Sequence, residues 1–173
     1  AVPFGRLADL TGRRWVLCLG IFLFVLSSFI ILFVESFEMF LTFRVLQGIG
    51  AAMLYANNQA ILISAFPNES RGKALGYYIA ATYSGLMAGP ILGGFLNFTF
   101  GWRSIFIFGI VLGSMSFAAA FFKLPSVPGN RVGQHMDPLG TALYVVSISM
   151  VLYGFASLTS SSFALYFLLI GVL

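Results

Sequence analysis

Apolar positions along this chain come in long unbroken blocks rather than in alternation. They run over Trp15 to Val34, Met39 to Ala65, Leu75 to Asn97, Ile105 to Phe122 and Leu139 to Leu158, and a sixth begins near Phe163. A helix that crosses about 30 Å of hydrocarbon needs about 20 apolar residues. Backbone groups in lipid must find partners within their own element, so blocks of this length predict helices. The fold class that follows is all-α, a polytopic transmembrane helix bundle. A secretory leader would be a single short block at the start, and a series of blocks excludes it. The chain opens on Ala1 and ends inside the sixth block, at "LLIGVL". It is therefore expected to be a fragment of a longer protein.

Composition supports the same class. The chain is 60% hydrophobic and 8% charged, whereas soluble domains carry about 25% charged residues. A net charge of +4 would suit nucleic acid only if it formed an exposed basic face. Here the basic residues sit in short connectors, so nucleic acid is excluded and the lipid bilayer is the expected partner. Arg6, Arg13, Arg14, Arg71, Lys73, Lys123 and Arg131 occupy alternate connectors, while the others hold Glu35, Glu38 and Arg103. The positive-inside rule turns the first set to the cytoplasm, as in a multi-pass protein of the cytoplasmic (inner) membrane. Cys18 is the single cysteine, which excludes an intramolecular disulfide; it reads as a small core residue. His135 has no second histidine to join as a ligand and reads as solvated. No span carries histidines, cysteines or carboxylates at ligand or acid/base spacing, so neither an enzyme nor a metal or cofactor is implied. The twenty phenylalanines fit a lipid-facing surface.

Two spans carry more than apolar bulk. In "YSGLMAGPILGGF", Ala81, Gly85, Gly89 and Gly93 recur every four residues and form one small-residue stripe, the pattern that lets helices approach closely in lipid. Pro90 cannot donate to Leu86 and its ring crowds that turn, which predicts a bend. A tight helix contact in any membrane protein would read the same way.

The second feature is polar. On a helical wheel Arg44, Gly48, Ala51, Tyr55 and Asn58 fall within about 40° of one another, with Gln47 and Gln59 flanking at about 60°. This seam is expected to face the bundle interior. An arginine within a span costs at least ~2.5 kcal/mol, so it is normally paired or facing water; the other reading is that Arg44 snorkels to the nearby interface. Asn57, Asn58 and Gln59 are expected to cross-link helices by hydrogen bonds. Asn58 and Tyr55 share the face of Arg44 and are candidates to line a pathway.

The connectors carry their own patterns. In "GRLADLTGRR", Gly5 and Gly12 allow a tight turn, and Asp9 and Arg13, four apart, are placed to pair on a helix end. The stretch 125–136, "PSVPGNRVGQHM", reads as a short connector on the cytoplasmic side, dividing 1–124 from 137–173. Asp137 before Pro138 is a good helix start.

Taken together these strings resemble the major facilitator superfamily. Gly85, Gly89, Pro90, Gly93 and Gly94 resemble the signature that its antiporters carry in their fifth span. Gly5, Leu7, Ala8, Asp9, Gly12, Arg13 and Arg14 match the loop between its second and third spans, with Leu10 departing where a basic residue is usual. Arg44, Gln47, Gly48, Gly50, Ala51 and Ala52 match its fourth-span pattern. Asp137 and Gly140 are similar to the D-x-x-G that opens the seventh span of the fourteen-span drug:proton branch. The resemblance implies a partial major facilitator fold: 1–124 as part of the N-terminal bundle, from the end of span two through span six, and 137–173 as span seven with the start of span eight. It also implies a cytoplasmic latch around Asp9 and a part for Arg44 in proton coupling. The partners it implies are protons, a small-molecule substrate and the remaining spans of the same transporter. The expected function is proton-coupled efflux of drugs or other small amphipathic compounds. Uptake by a facilitator of the same superfamily and a non-transporting helical scaffold stay open. The carboxylates lie in loops or at span ends, so none of them reads as the proton carrier.

Overall fold

A computed structural model describes residues 2–124 and 138–157. By its contacts the chain divides into two units, Ala1–Val132 and Gly133–Leu173. The first contains α1 (Val2–Thr11), α2 (Arg13–Ile31), α3 (Phe37–Ala65), α4 (Asn68–Phe100) and α5 (Arg103–Lys123); the second contains α6 (Pro138–Ala156). No strand occurs among the described residues. The connector 125–136 with its Arg131 and His135, the Asp137 cap and the block from Phe163 lie outside them.

Helices α2 to α5 are each long and apolar enough to cross a membrane, and they coincide with the first four apolar blocks. The fifth block is helical over α6. The chain is a multi-pass, all-helical membrane protein.

Local chemistry sets the helix ends. Gly12, at φ 110°, joins α1 to α2, and Gly101, at φ 83°, joins α4 to α5; both angles are costly for any residue with a Cβ. The Gly101 turn is further held by Ser104, whose Oγ lies 2.6 Å from the Gly101 carbonyl oxygen and 2.9 Å from that of Leu96. Ser36 caps α3, its hydroxyl accepting from the Met39 N–H at 3.4 Å, a usual use of serine at this position. Gly5, expected to help form a turn, lies within α1 instead; Gly12 alone supplies the turn.

The core is built around α2, which packs against α1, α3 and α5. Leu17, Cys18, Ile21 and Ala120 form one buried cluster, and Ala8, Val16 and Met53 another. Cys18 is thus a core residue. Between α2 and α3 the backbones nearly touch: a Cβ on Gly20 would lie 2.9 Å from the Gly50 carbonyl oxygen, and one on Gly50 would lie 2.7 Å from that of Gly20. Close approach through paired glycines is how helices gain dispersion contacts in a solvent as apolar as themselves.

Two arginines fasten α2 to α5 at opposite ends. Near Gly12, Arg14 donates to the Phe121 carbonyl in the last turn of α5 and lies over the Phe121 ring, 5.7 Å from its centre. Near Gly101, Arg103 in the first turn of α5 donates to the carbonyls of Leu32 at 3.1 Å and Val34 at 3.4 Å, just past the end of α2. Each cation therefore meets the negative pole of the partner helix, where carbonyls lack intrahelical donors. Both bonds are exposed or partly so, which limits their worth. Replacing Arg103 by alanine is expected to lower stability by about 1 kcal/mol, read as a fall in the thermal midpoint in detergent; an unchanged midpoint would show this fastening to be ornamental.

Candidate functional site

The seam on α3 resolves into two faces. The face packed into the bundle carries Gln47, Gly50, Met53 and Asn57, all buried. Arg44, Gly48 and Tyr55 are exposed among the described residues, and Asn58 is half-buried. The expectation that the Arg44 seam points into the packed interior is not met within the described bundle: the adjacent face took that place, where Gly50 meets Gly20 of α2 backbone to backbone.

Arg44 nevertheless does not hang free. Its Nη1 donates to Gln47 Oε1 at 3.1 Å, and the guanidinium lies over the rings of Phe40 and Phe106, 5.4 and 4.8 Å from their centres. Phe40, Phe106 and Trp102 form a three-way edge-to-face cluster, with centres 5.9 to 6.2 Å apart, the arrangement that ring quadrupoles favour. Gln47 then reaches across to α2, where its Nε2 donates to Ser28 Oγ at 2.7 Å. Gln47, which lies outside the Asn57, Asn58 and Gln59 cluster expected to cross-link helices, is thus the amide that joins α3 to α2. Asn57, 1% exposed, bonds to its own helix through the Met53 carbonyl at 2.7 Å.

Arg44, Phe40, Trp102 and Phe106 form one wall of a pocket of about 440 Å³, lined also by Val34, Glu35, Ser36, Phe37 and Ile105. Arg44 stands about 10 Å along α3 from Phe37. The other charged or hydroxyl-bearing residues lining the pocket, Glu35 and Ser36, belong to the α2–α3 connector.

At the other end, Asp9 and Arg13 pair as their spacing requires, Asp9 Oδ1 accepting from Nε at 3.1 Å and Nη2 at 3.0 Å. More than a third of each side chain is exposed, so the pair contributes at most about 0.5 kcal/mol. Arg13 also donates to the Ala60 carbonyl of α3 at 3.2 Å. Within the described residues, then, Asp9, Arg13 and Arg14 connect α1, α2, α3 and α5 to one another.

The small-residue stripe has a different position. A Cβ added at Gly85, Gly89, Gly93 or Gly94 would meet nothing within 4 Å, and Pro90 lies within an unbroken α4. No described helix packs on this ridge. Gly140 lies in the first turn of α6.

Ser28 is not singled out in the sequence, and Arg103 figures there only as a connector charge. A readable signal existed for the first: Ser27-Ser28 interrupts an apolar run, and polar side chains in a span turn toward the interior. For Arg103 there was none, because its partners are backbone carbonyls.

Comparison with known proteins fits these helices. The chain is 32% identical over 149 residues to the riboflavin transporter RibZ of Clostridioides difficile, covering 86% of this chain and 33% of that protein. It is 33% identical over 150 residues to the multidrug resistance protein Stp of Mycobacterium tuberculosis, covering 85% of this chain and 27% of Stp. It is 31% identical over 144 residues to the multidrug export protein EmrB of Haemophilus influenzae, covering 83% and 28% respectively. The chain thus spans a third or less of the length of these relatives. The family profile of the Major Facilitator Superfamily matches residues 1–173, and the chain belongs to that superfamily of membrane transporters.

Proposed function

We propose that this chain forms part of a proton-coupled exporter of small amphipathic compounds in the cytoplasmic membrane, within the fourteen-span branch. The observation that carries this reading is the α4 ridge. Four glycines and Pro90 stand open along a span-length helix, a surface that costs helix stability and is useful only against another helix. In an exporter the ridge seats on the remaining spans and lets the two halves rock. Arg44, held among Gln47, Phe40 and Phe106, supplies a fixed positive charge beside the pathway, and Tyr55 and Asn58 continue its face. The bonds of Asp9, Arg13 and Arg14 form the cytoplasmic latch, and Asp137 with Gly140 opens the next span. The proton-carrying carboxylate belongs to other spans.

Efflux of ethidium from cells carrying the full-length protein tests the proposal. Efflux should stop when a protonophore collapses the gradient, and efflux that ignores the gradient would refute proton coupling. The similarity to a riboflavin transporter favours a second reading, movement of a metabolite, in which the same protein would carry riboflavin and leave ethidium untouched. For the pathway itself, Asn58→Cys is expected to react with a small aqueous thiol reagent in at least one transport state, on a background with Cys18 replaced by serine. Complete protection in every state would remove Asn58 from the pathway.

A further inference from the structure

We infer that Ser28 is a positioning residue for Arg44, acting through Gln47. This deepens the reading of Arg44 as a transport residue and rests on it.

Ser28 is 0% exposed and Gln47 is 8% exposed. The Ser28 hydroxyl donates to the Phe24 carbonyl of its own helix at 2.6 Å. A hydroxyl has a single proton, so with that proton committed to Phe24 the oxygen has only lone pairs left for Gln47. An amide presents an oxygen on one side and an NH₂ on the other. Ser28 therefore fixes the amide with its NH₂ toward α2, at 2.7 Å, and its oxygen toward Arg44, at 3.1 Å. Arg44 offers only donors, so it needs that oxygen. If the amide turned over, an NH₂ would face the guanidinium, the bond would be lost, and only the Phe40 and Phe106 rings would hold the charge. A serine on α2 thus sets where the cation on α3 sits, from the far end of a relay of one amide.

Ser28→Ala removes the acceptor and leaves the Gln47 NH₂ buried without a partner, which also lowers stability. The experiment must therefore read the geometry of Arg44 and not stability alone. In the full-length protein in detergent, phenylglyoxal modification of Arg44 is followed by peptide mass spectrometry, with Arg71, in the first turn of α4, as the internal reference. Ser28→Ala should raise the rate ratio of Arg44 to Arg71 by about two- to tenfold, the net worth of one hydrogen bond. Gln47→Met cuts the same relay one link later and should give a similar rise. The double variant Ser28→Ala/Gln47→Met leaves no orphaned amide, so it keeps the test usable if Ser28→Ala alone fails to fold, and it should match Gln47→Met. A serine with a merely structural role would lower the thermal midpoint and leave the ratio unchanged, which would overturn the inference. So would a double variant whose ratio differs from that of Gln47→Met. Because no substrate moves in this assay, failure of ethidium efflux leaves its outcome intact.

Discussion

Gly50→Ala is expected to lower the stability of the bundle by about 1–3 kcal/mol, the usual cost of forcing an added methyl into a packed contact. The new Cβ would lie 2.7 Å from the Gly20 carbonyl oxygen and 2.8 Å from the Phe24 amide nitrogen. Both obstacles are backbone, so no side chain can rotate away and α2 must move as a body. Such a move would strain the nearby Gln47–Ser28 bond and the buried cluster around Met53. Gly48, two residues away, is the control: its Cβ would meet nothing within 4 Å, and alanine there should be neutral or stabilising by up to about 1 kcal/mol through helix propensity. Thermal midpoints of the two variants in the same detergent decide the matter. Equal midpoints would mean that the α2–α3 contact is looser than the backbone distances imply.

Gly89→Val should behave in the opposite way. It touches nothing described in the first unit, so membrane insertion and expression are expected to stay near wild type. Transport is expected to disappear, because a branched side chain at the middle of the α4 ridge would hold off whichever helix seats there. Proton-driven ethidium efflux in vesicles, measured at matched protein levels, gives the comparison. Transport at the wild-type rate would reduce the ridge to tolerated packing and remove the mechanical basis of the exporter reading. The two glycine variants therefore separate a contact that builds the bundle from a surface that is free to engage another.

Much of the fold was legible because lipid leaves the backbone few options: a span-length apolar block has to be a helix. The block from Leu75 to Asn97 foretold α4 but not its full extent of Asn68–Phe100, since the polar turns from Asn68 to Lys73 need no apolar pattern to stay helical. Asp9 with Arg13 was readable because both partners lie on one local stretch. The partner of Gln47 was not, because a helical wheel of α3 says that an amide flanks the seam and cannot say which helix stands on that flank. That choice depends on Gly20 and Gly50 together, thirty residues apart in the chain. The charges of Arg14 and Arg103 are legible in the sequence but their partners are not, since these acceptors, the carbonyls of Phe121, Leu32 and Val34, leave no trace in residue type.

The paired fastenings by Arg14 and Arg103 have a mechanical corollary. A tie at one end of two antiparallel rods lets them pivot about it, whereas ties at both ends oppose pivoting as well as axial slip: a displacement of one turn, about 5.4 Å, would stretch both. Ratchet-like creep of α2 past α5 is thereby disfavoured relative to a movement in which the pair tilts whole, like a plank, and keeps both bonds.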